Sequence, residues 1–285
     1  MIPGAFAYHR PKSVNEAVSL LADLGEDARP LGGGHSLIPL MKLRLAAPSA
    51  LVDLQGIKDL KGIRAEGGDI VIGATVTQQE IIVSDLLAAK VPILRETSLQ
   101  IADPQVRYLG TIGGNVANGD PGNDMPAVML VLNAVYHVVG KGGERKVPAR
   151  SFYQGAYLTA LLPGEIVTAI RVPGLGKHGY AYEKLKRKIG DYATAAAAVI
   201  LTMSAGKVAS CAIGLTNVGD LPLFAADAGA ILTGSALDAD SVKRAVAAAE
   251  KITAPASDRR GTPQYRTKMA GVMLSRALAR AKSRA

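Results

Sequence analysis

Two short segments hold the residues best suited to chemistry: Gly32, Gly33, Gly34, His35 and Ser36 near the start, and Thr111, Ile112, Gly113, Gly114 and Asn115 about a third of the way along. Glycine lets the main chain approach an anion closely and reach positive φ without a Cβ penalty. Successive N–H groups in such turns form concavities that hold phosphate oxygens. One glycine triplet alone reads as a tight turn. Two such segments, each ending in a polar residue able to hydrogen-bond phosphate, predict a cradle for a pyrophosphate-bearing cofactor.

The other chemistries fail on spacing. There is no G-x-x-x-x-G-K-[ST], and neither segment has the G-x-G-x-x-G spacing of a dinucleotide-binding strand–turn–helix. His9, His35, His137 and His178 lie far apart, and Cys211 has no histidine nearby in sequence, which argues against a metal site or a cysteine nucleophile. One cysteine excludes an internal disulfide and an internal iron–sulfur cluster, which normally needs four thiolates. No convincing acid–base pair for substrate oxidation is present either.

The elements that must position these residues are partly legible. Ser13 to Leu24 starts with a capping serine, has Glu16 three residues on and spaces Val14, Ala17, Val18 and Leu21 at helical intervals. A short strand, the glycine segment and a helix past Pro39, within Leu37 to Leu45, follow. Leu51 to Leu54 and Ile70 to Ala74 read as strands, and Thr77 to Leu87 as one helix. Residues 101–124 show no clean period, as expected of a segment shaped by a ligand. Ala127 to Val139 reads as a buried helix turning into a strand, Gly140 to Gly143 as a hairpin turn, and Ile166 to Val172 as a strand. After a Pro- and Gly-bearing connector, Pro173 to Gly179, come a strand-like approach over Tyr180 to Lys188, then Ala193 to Ser204 paired with Val208 to Gly214. Helices are predicted over Asp240 to Ile252 and Thr267 to Ala281, the latter docked on the fold.

The chain has 285 residues, 48% hydrophobic and 20% charged, enough apolar material for more than one core. Its net charge of +9 is scattered apart from Lys184 to Lys188 and Arg276 to Arg284, read as solvated basic faces. With no tryptophan and three phenylalanines, nothing interleaves with those charges to stack bases, so nucleic-acid binding is not expected. No basic start leads into an apolar signal region and no run approaches a spanning length, so a cytoplasmic protein with no transmembrane segment is expected.

Arg29, Pro30, Leu31 and the first glycine segment, with the second segment, resemble the FAD-binding subunits of the molybdenum hydroxylases, in the superfamily of p-cresol methylhydroxylase and vanillyl-alcohol oxidase. The start Ile2, Pro3, Gly4 with Tyr8 to Pro11, the block 101–124 and the stretch 180–198 extend the resemblance over nearly the full length, toward the carbon monoxide dehydrogenase branch. His35 and Ser36, where xanthine-dehydrogenase-type domains usually have asparagine and threonine, point the same way.

The resemblance implies an α+β fold. A two-part PCMH-type FAD-binding domain spans 1–176, with a small N-terminal α/β subdomain (about 1–54) and a larger mixed α/β subdomain (55–176). A smaller α+β C-terminal domain, 177–285, has an antiparallel sheet and helices. The backbone amides of Gly33 to Ser36 and of Thr111 to Asn115 are implied to hold the FAD pyrophosphate, with Leu31, Gly32, Leu37, Ile101, Ala102, Ala117 and Gly119 completing the site. Asp120 and Asp124 are candidates for ribose or ring-edge contacts, with ordinary turn residues as the alternative. Lys184 and Tyr192 are implied to approach the isoalloxazine, Tyr192 stacked or gating over it, with core packing the alternative. His35 is expected to be a hydrogen-bonding neighbour of non-covalent FAD, not a covalent tether.

By the same resemblance the chain carries no catalytic residue and no metal, and FAD serves as an electron relay. A molybdenum large subunit oxidises carbon monoxide with water to carbon dioxide. An iron–sulfur small subunit with [2Fe–2S] clusters passes the electrons to FAD, which hands them to a quinone-type acceptor. The expected assembly is a dimer of heterotrimers, cytoplasmic, with peripheral placement at the inner face of the membrane. The alternatives are a flavin subunit serving oxidation of an N-heterocycle or aldehyde, a self-contained flavin oxidase, and a non-enzymatic nucleotide-binding scaffold.

Overall fold

The computed structural model describes residues 2–285. The N-terminal layer is a parallel three-stranded sheet with Ala50–Asp53 between Ala7–His9 and Ala28–Leu31. Helix Val14–Leu24 covers it with Ala17, Val18 and Leu21 buried; Ser13 caps its start by accepting from the Glu16 N–H, and Gly25 at φ 76° ends it. This layer is the predicted helix, strand, glycine segment and helix in order.

The second sheet is antiparallel and five-stranded, in the order Ile63–Glu66, Asp69–Gly73, Ile166–Val172, Val135–Gly140, Gly143–Pro148. The third is antiparallel and four-stranded: Gly179–Leu185, Ala195–Ser204, Lys207–Thr216, Leu223–Phe224. Its second strand, which begins with four alanines, is buried on both faces. Ala196, Ala198 and Ile200 join a core shared with the five-stranded sheet and helix Asp124–Val131. Ala195, Ala197, Val199 and Leu201 join a second core under helices Ala239–Lys251 and Pro263–Lys282. Small residues let those helices sit close: a Cβ on Gly214 would stand 2.5 Å from the Ala127 carbonyl oxygen, and one on Gly179 would stand 2.0 Å from that of Ala281.

Several sequence expectations shift. The helix expected over Thr77 to Leu87 is two helices, Gln78–Val83 and Asp85–Lys90, because Ser84 turns extended and caps the second through the Leu87 N–H. The helix expected past Pro39 begins at Leu37, with proline tolerated in the first turn. The period-free block 101–124 contains helices Pro104–Leu109 and Ile112–Ala117. The last helix starts at Pro263 behind a Thr262 cap, four residues before the predicted start.

The basic segments are not simply solvated. Lys184 is buried against Asp124, and Arg280 and Arg284 pair with Glu96, Arg280 also with Glu183. Among the described residues no helix is long and apolar enough to cross a membrane.

Candidate functional site

A cleft of about 610 Å³ runs along both glycine segments and the Lys184–Tyr192 stretch, a size typical of cofactor sites. Its first wall begins where strand Ala28–Leu31 ends. Gly34 sits at φ 76°, and a Cβ on Gly33 would stand 2.0 Å from the Leu109 carbonyl oxygen. The chain can therefore turn tightly and lie flat against the second segment only as glycine. Among the described residues, the N–H groups of Gly33, Gly34, His35 and Ser36 donate to no protein acceptor. Four adjacent free donors on a cleft wall fit a pyrophosphate.

A small network fixes that wall from behind. Gln55 Nε2 donates to the Gly32 carbonyl at 2.7 Å, the Gln55 N–H donates to Asp53 Oδ1 at 2.9 Å, and Tyr8 Oη donates to Asp53 Oδ2 at 2.5 Å. That hydrogen bond raises the Tyr8 hydroxyl above its ordinary pKa.

The second segment keeps only one free amide of the expected cradle, that of Thr111. Thr111 caps helix Ile112–Ala117, and the helix N–H groups are already engaged: Ile112 with the Val76 carbonyl, Gly113 with that of Ala74, Asn115 with that of Thr111, and Gly114 with Thr111 Oγ1. Gly113 is glycine because a Cβ would stand 2.5 Å from the Ala74 carbonyl oxygen. Left over from this segment are the Thr111 N–H, which donates to no protein acceptor among the described residues, and the side chains of Thr111 and Asn115. Ile112 points away, wholly buried in the central core.

At the far end, Ala102 adopts φ 44°, and Arg107 Nη1 holds the turn by donating to the carbonyls of Ile101 at 2.9 Å and Ala102 at 3.2 Å. Asp124 faces the same end, 5% exposed. Its Oδ1 accepts from Tyr182 Oη at 2.5 Å and its Oδ2 from Lys184 Nζ at 2.8 Å. Burial and the Asp124 carboxylate push the Tyr182 hydroxyl well up. Asp124 is therefore neither a free ribose ligand nor a plain turn residue: both its oxygens join a buried network.

Tyr192 stands at the cleft mouth, 43% exposed, which removes the core-packing alternative. Its ring lies against Gly122, and Arg260 sits 5.8 Å from the ring centroid. Burial and nearby Asp120 raise its hydroxyl, and the same two causes raise that of Tyr157. Burial alone would raise the neighbouring Asp191, yet the hydrogen bond from Arg187 and the charges of Arg187 and Arg260 carry its carboxyl below the ordinary value.

Most sequence-predicted site residues line this one cleft: Leu31 to Leu37, Ile101, Ala102, Thr111, Gly113, Gly114, Asn115, Ala117, Asp124, Lys184 and Tyr192. Ile112, Gly119 and Asp120 do not line it; the Gly119 carbonyl accepts from the Tyr157 N–H at 2.8 Å. Sequence reasoning missed Gln78, Asn123, Tyr157 and Asp191, which also line it. Gln78 reads as a polar first residue of a helix, and nothing in the sequence marks the φ of 59° that turns Tyr157 toward the cleft.

Comparison with known proteins gives the same outline. Residues 4–175 match the family described as FAD binding domain in molybdopterin dehydrogenase. Residues 180–281 match the CO dehydrogenase flavoprotein C-terminal domain. The carbon monoxide dehydrogenase medium chain of Afipia carboxidovorans is 68% identical, over 100% of this chain and 99% of its own length. A crystal structure of the Cu,Mo-CO dehydrogenase in its cyanide-inactivated form has a chain 67% identical, with a TM-score of 0.99 over 100% of both chains. A chain of quinoline 2-oxidoreductase from Pseudomonas putida 86 is 33% identical with a TM-score of 0.94, covering 99% of each.

Proposed function

The chain belongs to the flavoprotein family that joins an FAD binding domain of the molybdopterin-dehydrogenase type to a CO dehydrogenase flavoprotein C-terminal domain, and from that membership we propose that it is the FAD-carrying, electron-transferring medium subunit of a carbon monoxide dehydrogenase. The observation that carries the proposal is the row of free N–H groups from Gly33 to Ser36 on a cleft of cofactor size, in a chain 68% identical to such a medium chain. The two domains span 1–176 and 177–285. The iron–sulfur clusters and the molybdenum centre reside on the small and large partner subunits, in a dimer of heterotrimers.

Bound FAD supplies the redox chemistry that links one-electron carriers to a two-electron acceptor. This chain's residues do the holding. The amides of Gly33 to Ser36 donate to the pyrophosphate, helped by the side chains of Thr111 and Asn115. His35, exposed at the cleft wall, is a hydrogen-bonding neighbour and the flavin is not covalently attached. The Ile101–Ala102 turn shapes the opposite wall. Lys184 lies beside the ring end and keeps Asp124 neutralised. Tyr192 covers the mouth and limits which acceptor reaches the ring; the acceptor is of quinone type, and the assembly works peripherally at the inner face of the membrane.

The test is the visible spectrum of the complex purified from its host, before and after acid precipitation. Flavin absorbance passing into the supernatant, with carbon monoxide-dependent dye reduction that needs this chain, is the expected result. Flavin retained in the pellet would instead make His35 a covalent anchor. Turnover of an N-heterocycle or aldehyde in place of carbon monoxide would move the complex to another branch of the family.

A further inference from the structure

Gln78 is 2% exposed yet lines the cleft. Its Oε1 accepts from Ser98 Oγ at 2.9 Å, and its main-chain N–H donates to the Gly110 carbonyl at 2.9 Å. Both the backbone and the carboxamide orientation are thus fixed. Its Nε2 is buried and has no hydrogen-bond partner. A buried amide donor left unmatched is destabilising, so an oriented, unmatched donor on the wall of a binding cleft implies that a ligand atom completes it.

Its place narrows that atom. The Ser98 carbonyl accepts from the Ile101 N–H at 3.2 Å, which puts the Gln78 carboxamide beside the Ile101–Ala102 turn. The free amides suited to phosphate lie in the other wall, from Gly33 to Ser36. Resting on the FAD reading above, we propose that Gln78 is a flavin-binding residue whose Nε2 donates to an acceptor atom of the isoalloxazine ring. Those acceptors gain electron density on reduction, so the donor favours the reduced form and raises the reduction potential.

The test uses the assembled complex with Gln78→Met, which keeps the volume and removes the donor, and Ser98→Ala, which frees the carboxamide to rotate. FAD dissociation is followed by flavin fluorescence and the potential by redox titration of the flavin absorbance. Gln78→Met is expected to weaken FAD roughly tenfold or more and to move the potential to more negative values, with a smaller move in the same direction for Ser98→Ala. Should Gln78→Met fail to assemble, Ser98→Ala alone carries the test. Unchanged affinity and potential, or weaker binding at an unchanged potential, would overturn the proposal. A wild-type complex that binds no FAD would overturn the FAD reading itself, whereas FAD-bound wild type with indifferent variants overturns only the role of Gln78.

Discussion

Lys184 Nζ stands 2.8 Å from Asp124 Oδ2, with the lysine side chain 1% exposed and the aspartate side chain 7% exposed. The pair ties strand Gly179–Leu185 to the start of helix Asp124–Val131, one element from each side of the Pro173 to Gly179 connector. Removing one partner of a buried pair leaves an uncompensated charge, at a cost of about 3–5 kcal/mol. Lys184→Met should therefore lose about that much stability in urea unfolding. Lys184→Met with Asp124→Asn should lose less than the two single changes summed, because the double variant buries no charge. Strict additivity would show that the two side chains do not depend on each other.

Gly33→Ala should fold and still lose its flavin. The new methyl group would meet the Leu109 carbonyl oxygen at 2.0 Å, so the segment must move off the second wall and carry its four free N–H groups with it. Flavin content per chain after gel filtration is the measurement. A fall of roughly tenfold or more is expected, in line with the loss of charge-assisted hydrogen bonds. Full occupancy would mean that these amides do not hold the cofactor.

Acid sensitivity should centre on Glu165, which lines the cleft. Hydrogen bonds from Arg145, at 2.8 Å from Nε and 2.6 Å from Nη2, hold its carboxyl below its ordinary pKa. Because the folded value lies below the unfolded one, the stabilisation is fully present above about pH 4.3 and is lost as pH falls through the folded value. Thermal midpoints measured from about pH 5 downward should fall, and Arg145→Gln should flatten that fall. Parallel curves for wild type and variant would remove Glu165 from the explanation.

Cys211 should be inert. Burial pushes its thiol up to about 12, so at pH 8 only roughly one molecule in ten thousand carries the reactive thiolate. Iodoacetamide followed by mass spectrometry should leave the folded chain unmodified and alkylate the chain in denaturant. Equal rates in both conditions would contradict the burial of the thiol.

Much of this arrangement was legible because local signals and global fold agree. Ser13 with Glu16, and the turn between Ala193 to Ser204 and Val208 to Gly214, are short-range devices that a sequence states openly. Both glycine segments could be picked out from composition alone. Their different roles could not: Gly33 is glycine because of Leu109, and Gly113 because of Ala74, contacts made only after folding. The engagement of Ile112 and Gly113 with Val76 and Ala74 is likewise long-range. Gln78 was missed because only packing distinguishes a buried carboxamide from an exposed one. Arg280 and Arg284 read as surface charge because their partner, Glu96, is far away in the chain.

The close approaches at Gly33 and Gly113 have a bearing on how such proteins diverge. At both positions the nearest neighbour is a carbonyl oxygen, joined at Gly113 by the Ala74 methyl group, so the lining there is mainly main chain meeting main chain. Substitutions at the non-glycine positions around it, Ala74 apart, leave that contour untouched. Sequences can therefore drift widely while the glycines keep the mould for the cofactor, and variation in the redox partner or acceptor has to be written at the rim, in residues such as Tyr157, Asp191 and Tyr192.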